Sequence, residues 1–443
     1  MRKIIFLLIL CLQLGFAQAQ YRDKCVKITQ QVAGWLMHEQ TDSIVPYFDS
    51  IMVRALPAAR LSDTWQTLLI SYGTCDSTGK MELEQRGEYL TVSMVLFFEK
   101  AKMRLMVTFN TEPKIAGLYV NPSQHQYEVP DYINTFNFVE YKIAFGNYPV
   151  IIEGMLSVKQ GANKLPLVIV VQGSGPQDMD GTYGHNKIYK DLAWGIASNE
   201  IAVFRYPKRT ANFGSLFLSG DLKNKFTLEQ EYVEDIMLAI EALKKRPEID
   251  SNRIILLGHS QGVTAAIIAA KRSGQVRGIV SASGTPRKIQ DLMCEQLDYL
   301  HGFEPVGSQK WQQVQNIKQN LVYSLRPDLK ETDPFDSMPL NVAPSYWIYL
   351  NKLNVIDSLN ALPDIKLLFL HGQRDYQVTM VDFEAWKTAF AKNPNATFTV
   401  FQGLNHMYFR GTARSTVAEY EERHNVDAIV IRDIVVWIKN IPQ

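Results

Sequence analysis

Hydrophobic positions change their spacing along the chain, and each change marks a different kind of element. Between about residues 22 and 70 the apolar residues recur at helical intervals, with Val32, Trp35 and Leu36 on one side of the first helix. The stretches around Ile51-Met52 and Trp65–Leu69 predict two further helices. After Gly73 the period becomes two. Leu90, Val92, Met94, Leu96 and Phe98 alternate with more polar residues, which predicts a strand over Tyr89–Phe98 with one buried face. Met103–Phe109 and Lys114–Val120 predict two more strands, so the first part reads as a small α+β domain with an antiparallel meander, ending at residue 122. Residues 123–136 carry Asn, Gln and Pro and predict a linker.

A different pattern starts at 137. Phe138–Phe145 and Val150–Val158 predict strands separated by Gly146-Asn147. Leu167–Val171, Ile201–Tyr206, Ile254–Leu257, Val276–Ala282, Lys366–Leu370 and Phe398–Phe401 are short, mostly apolar runs, expected of strands covered on both faces. Helical segments alternate with them: Asp191–Ser198, Glu229–Lys245, Val263–Lys271, Phe383–Phe390 and Val426–Lys439. Thr227 and Gln230 have the spacing of a capping box before the second of these. This alternation predicts an α/β domain over 137–443, built on a parallel sheet with right-handed crossovers. It is interrupted at 286–360, a helical, aromatic and polar segment expected to lie as an insertion over the C-terminal edge of the sheet, where such folds bind ligands.

The extreme N-terminus reads as an address. Arg2 and Lys3 precede the apolar run Ile4–Leu12, and Ala17-Gln18-Ala19 supplies small residues for cleavage before Gln20. A signal peptide over 1–19 implies an exported, periplasmic or secreted protein without stable membrane insertion. The chain of 443 residues has 46 Lys+Arg against 45 Asp+Glu, and removal of 1–19 leaves 44 against 45. With no basic run, nucleic acid is not an expected partner. Export permits disulfides, but Cys25, Cys75 and Cys294 are three, so a Cys25–Cys75 pair and three free thiols both remain open. No metal-ligand spacing is present, and no cofactor is implied.

The chemistry concentrates at Gly258-His259-Ser260-Gln261-Gly262, between a predicted buried strand and a predicted helix. A strand–turn–helix of this kind exposes a serine hydroxyl above the sheet. A serine needs a base and an oriented third group. His406 follows the strand ending at Phe401, and Asp375 follows the strand ending at Leu370, so all three side chains leave the same end of the sheet in the order Ser, Asp, His. Asp382 is the second choice of acid. His371 and His259 are expected to do structural work. An oxyanion site needs two N–H donors. Gln261, after the nucleophile, supplies one, and the loop Gln172-Gly173-Ser174-Gly175-Pro176 the other, through Ser174 or alternatively Gly173.

These blocks, together with Gln177–Gly181, Asn186-Lys187, Asp191-Leu192-Ala193, Arg205–Thr210, Gly372–Val378 and Asn405-His406, resemble the α/β-hydrolase family, and within it bacterial carboxylesterases of the EstD type. The resemblance implies an N-terminal cystatin-like cone domain and metal-free hydrolysis of short-chain carboxylic esters through Ser260, Asp375 and His406. A small-molecule ester is then the substrate. The front domain is left to binding, gating or dimerisation, which keeps a homodimer open. A peptidase, an acyltransferase and a non-catalytic binding protein on the same scaffold are the alternatives. Two departures stand out: Gln172 where the family has His, and Pro207 where it has an acidic residue, which leaves the partners of Arg205 and Arg209 to be found.

Overall fold

The computed structural model describes residues 2–122, 127–218 and 224–442. The chain divides into two compact units, Met1–His125 and Gln126–Gln443. In the first, a long helix Arg2–Met37 and two shorter ones, Ser50–Ala55 and Ala58–Tyr72, accompany a four-stranded antiparallel meander of β1 (Cys75–Arg86), β2 (Tyr89–Phe98), β3 (Lys102–Phe109) and β4 (Ile115–Pro122). Leu90 pairs with Phe109, Val92 with Val107 and Met94 with Leu105, and all six side chains are buried. Because strand side chains alternate between faces, this register collects the apolar set on one side. There it meets Ile28, Val32 and Leu36 of the long helix and Trp65 of the third. The sequence pattern anticipated three strands. β1 is the fourth, an edge strand whose mostly exposed residues have no apolar alternation to announce it. Cys25, Cys75 and Cys294 are all free thiols, and burial pushes Cys75 up to about 11.

The second unit is built on an eight-stranded sheet. Its strands are β5 (Val139–Asn147), β6 (Val150–Val158), β7 (Leu165–Val171), β10 (Ala202–Arg205), β11 (Ile249–His259), β12 (Val276–Ala282), β13 (Lys366–Gly372) and β14 (Ala396–Phe401); β8 (Thr182–Tyr183) and β9 (Asn186–Lys187) form a separate short ladder. The order is β14-β13-β12-β11-β7-β10-β6-β5, with β6 antiparallel to its neighbours. This is an α/β-hydrolase sheet. The unbroken apolar run of β7 has a direct cause: Leu167, Ile169 and Val171 enter the core on one face, Val168 and Val170 the core on the other. From β7 the chain goes to β10 on one side, then returns past β7 to β11 on the other. The loops leaving β7 and β11 therefore part at their carboxyl ends, opening the crevice in which such sheets bind ligands.

Two boundaries differ from the sequence reading. Of the expected linker, residues 123–126 lie outside the described residues, and 127–136 packs onto the second unit. Tyr127 Oη donates to Asp191 Oδ1 at 2.7 Å and Tyr132 Oη to the Val426 carbonyl at 2.7 Å. The expected helix from Glu229 begins instead with a π-turn, Glu229–Val233, before Glu234–Leu243 continues as α-helix. The insertion over 286–360 is helical, as Ile289–His301, Gln309–Ser324, Pro344–Lys352 and Val355–Asn360.

Phe369 of β13 anchors the far side of the sheet, with ring centroids 5.0 Å from Phe398 and 5.1 Å from Trp386. Phe369→Ala is expected to destabilise the fold by about 3–5 kcal/mol, read as a lower urea midpoint.

Candidate active site

Ser260 sits between β11 and the helix Gln261–Ser273 with φ 54° and ψ −125°, a conformation that a side-chain-bearing residue adopts only when its surroundings impose it. The surroundings are specific. A β-carbon on Gly258 would lie 2.6 Å from Val263 Cα, and one on Gly262 would lie 2.3 Å from the Val171 carbonyl oxygen. Both glycines are therefore needed for the helix to start this close to β7. The Ser260 N–H donates to the Ala282 carbonyl at 2.9 Å, which ties the turn to the end of β12.

Asp375 and His406 leave the ends of β13 and β14 and meet. Asp375 Oδ2 is 2.7 Å from His406 Nδ1, and Oδ1 accepts from the Gln377 and Val378 amides at 2.8 and 2.9 Å. Burial pushes the Asp375 carboxyl up, but the facing His406, its hydrogen bond, His371 and the Val378 amide outweigh burial and hold it below the usual carboxylate range. An ionised carboxylate only accepts, so His406 donates to it from Nδ1–H. Asn405, fully buried, shapes this loop: its Oδ1 accepts from the Met407 and Phe409 amides, both at 3.0 Å. Glu419 clamps the two loops together, accepting from Arg374 at 2.7 Å and from Asn405 Nδ2 at 2.9 Å.

His259 joins the serine turn to the histidine loop. Its Nε2 lies 3.0 Å from the His406 carbonyl, so that nitrogen donates, and its ring centroid is 4.7 Å from that of His406. Tyr189 Oη is 3.3 Å from its Nδ1. Burial, and then the nearby His406, push His259 down to about 3. His371 donates Nε2–H to the Val378 carbonyl at 3.0 Å and is likewise lowered by burial. Asp382 is engaged elsewhere, accepting from Thr285 Oγ1 at 2.6 Å and twice from Arg287 at 2.9 Å, and it completes the capping box of the Met380–Phe390 helix.

On the β7 side, a β-carbon on Gly173 would lie 3.3 Å from Ser260 Cβ, so the loop passes directly beside the serine. The Gly173 N–H donates to Tyr189 Oη at 2.8 Å, which withdraws it from the oxyanion role held open for it. Among the described residues the Ser174 N–H has no acceptor in the protein. Gln261 is the first helical residue, so its N–H has no intrahelical acceptor. Gln172, in the family's histidine position, donates to the Tyr206 carbonyl. Arg205 pairs with Glu140 at 2.5 Å and Asp180 at 2.9 Å, and Arg209 with Asp235 and Glu234, which supplies the partners missing at Pro207. A cavity of about 940 Å³ opens over Ser260, Gln261 and Ser174, with Met293, Trp347 and Leu350 of the insertion among its apolar walls. Among the described residues no group of His, Cys, Asp or Glu side chains is placed to hold a metal ion.

Sequence reasoning selected Ser260, Asp375, His406, Gln261 and Ser174, and all five lie at one end of the sheet, four on loops or turns and Gln261 at the start of a helix. It passed over Tyr189, Glu419 and a buried cluster around Lys208. Only Lys208 and Asn405 had a sequence signal, their place in the Arg205–Thr210 and Asn405-His406 blocks.

The chain is 31% identical over 404 residues to esterase EstD of Thermotoga maritima, covering 91% of this chain and 92% of that protein. Residues 29–118 match a family model described as a protein of unknown function, DUF3887. Among solved structures, Est1E from Butyrivibrio proteoclasticus is similar at 15% identity and a TM-score of 0.42, over 67% of this chain and 98% of that one. An esterase of Pyrococcus furiosus is similar at 16% identity and a TM-score of 0.44, over 72% and 98%.

The His259 geometry has a consequence for stability. The unfolded chain takes up a proton on this ring near pH 6.5, and the native site refuses it until about pH 3. The unfolded state binds more protons in that window, so native stability falls as pH falls, by up to about 1.4 kcal/mol per unit. Melting temperatures at pH 7 and pH 5 should therefore differ less in His259→Gln than in the wild type.

Proposed function

The chain belongs to the α/β-hydrolase family of esterase EstD and is a carboxylic ester hydrolase, and from that premise we propose that Ser260, His406 and Asp375 carry out the hydrolysis. In this reading Ser260 Oγ attacks the ester carbonyl while His406 Nε2 takes its proton. The carbonyl oxygen becomes an oxyanion and accepts from the Gln261 and Ser174 amides. The intermediate collapses, the carbon–oxygen bond to the alcohol breaks, and His406 returns the proton to the departing oxygen. Water, activated by His406, then releases the acid and restores Ser260. Asp375 holds the imidazole in its Nδ1–H tautomer and stabilises the imidazolium.

The observation that carries this reading is the 2.7 Å contact between Asp375 Oδ2 and His406 Nδ1, made by two residues from separate strand ends beside the Ser260 turn. Short acyl esters are the proposed substrates, and the apolar cavity gives the remainder of the substrate a dry surface. With p-nitrophenyl butyrate, Ser260→Ala should reduce kcat by more than about 10³-fold, and Asp375→Asn by about 10⁴-fold. Wild-type turnover in either variant would remove that residue from the mechanism.

We further propose export, with residues 1–19 removed. The exported protein should begin at Gln20 by intact mass, and retention of Met1 in that fraction would refute cleavage. Dimerisation through the front domain is proposed on the same footing, and a monomer in sedimentation would refute it.

A further inference from the structure

Behind the serine turn lies a group of polar side chains that the reaction as written does not use. Lys208 is buried, and each of its three ammonium protons has an acceptor: Glu231 Oε1 at 2.5 Å, Tyr232 Oη at 2.6 Å and the Gly173 carbonyl at 3.2 Å. Tyr232 Oη also lies 2.6 Å from the Gly173 carbonyl, to which it donates, and 3.2 Å from Gln261 Oε1. Glu231 Oε2 accepts from Tyr346 Oη at 2.5 Å, and Tyr346 Oη accepts from Gln261 Nε2 at 2.9 Å. The cluster therefore closes on itself through two points of the site, the Gly173 carbonyl and the Gln261 side chain. Lys208 follows β10, Glu231 and Tyr232 belong to the π-turn, and Tyr346 comes from the insertion.

The Gly173 carbonyl is the informative contact. The Gly173–Ser174 peptide is trans, so its C=O and N–H point in opposite directions across one rigid plane. Two buried donors hold the oxygen on the core side, and the Ser174 N–H is thereby turned outward toward the cavity. The Gly173 N–H, fixed by Tyr189 Oη, locks the preceding peptide as well. On the other donor, Tyr346 Oη accepts from the Gln261 side-chain amide while Tyr232 Oη packs at 3.2 Å from its oxygen, and the backbone N–H of Gln261 is the second oxyanion donor.

We propose that Lys208, Glu231, Tyr232 and Tyr346 are positioning residues that aim the two oxyanion donors, with Tyr346 making their alignment depend on the seating of the insertion. The inference rests on the serine-esterase reading above. It gives a reason for keeping a buried ion pair where an apolar pair would serve stability as well or better. It also gives work to the π-turn, which presents Glu231 toward Lys208 and the cavity and Tyr232 toward Gly173.

The test uses Tyr232→Phe, which deletes one hydroxyl and leaves the ring in place, and Tyr346→Phe as a second variant from a different element. Three quantities are read: kcat and KM for p-nitrophenyl butyrate, Ki for a trifluoromethyl ketone, and the melting temperature. The ketone carbon bonds to Ser260 Oγ and its oxygen becomes an oxyanion, so Ki reports the donors directly. Each variant that folds should lose about 10- to 100-fold in kcat, part of the loss from deleting a donor, with KM within about twofold. Its Ki should rise in the same proportion. Wild-type kcat and Ki in the variants would overturn the proposal, as would a loss of kcat with unchanged Ki. If Ser260→Ala itself retains turnover, the serine-esterase reading fails first. If Ser260→Ala is inactive while both tyrosine variants keep kcat and Ki, the positioning role alone fails.

Discussion

Between β11 and its following helix the chain must reverse within one peptide unit while passing against β7, and Ser260 takes up the strain of that reversal at φ 54°. Everything around the site accommodates this constraint. Gly258 and Gly262 have no side chains because Val263 and the Val171 carbonyl occupy the space. The Ala282 carbonyl fixes the Ser260 amide, and His259, the residue before, is forced into the interior, where it braces the His406 loop. The strained turn thus presents the serine hydroxyl and simultaneously places a neutral imidazole under its proposed base. Strain of this kind persists only where the surroundings over-determine it.

A second regularity is electrostatic. Three buried carboxylates near the site have separate, fully occupied sets of partners. Asp375 takes His406 and two amides, Asp382 takes Thr285 and Arg287, and Glu231 takes Lys208 and Tyr346. Buried charge is tolerated when it is paired and hydrogen-bonded. The partition also explains why one carboxylate of the three orients a histidine: the other two are already committed to cations. The apolar cavity then adjoins a rim of fixed donors, the arrangement in which developing negative charge is best stabilised.

The sequence made the hydrolase sheet legible because strands covered on both faces leave short apolar runs, as at Leu167–Val171, and these runs located Ser260, Asp375 and His406 at strand ends. The same logic failed for β1, whose mostly exposed polar residues carry no apolar alternation, and for residues 127–136, where Tyr127 and Tyr132 pack by hydroxyl hydrogen bonds and ring contacts that follow no periodicity. The cluster around Lys208 was illegible for a further reason. In one dimension Lys208 and Glu231 look like solvated charges, and Tyr346 is one of several aromatic residues of the insertion. Only the fold brings a strand end, a π-turn and an inserted helix into one buried group. Gly173 and Ser174 show the finer limit: the spacing allowed either as an oxyanion donor, and only the fold brings the Tyr189 hydroxyl to the Gly173 N–H.

The central claim is that Ser260 is an activated nucleophile. Reaction of the purified protein with a fluorophosphonate probe, followed by digestion and mass spectrometry, tests it without a choice of substrate. The account predicts a single adduct, on the peptide containing Ser260. An unreactive folded protein, or an adduct on another residue, would contradict it.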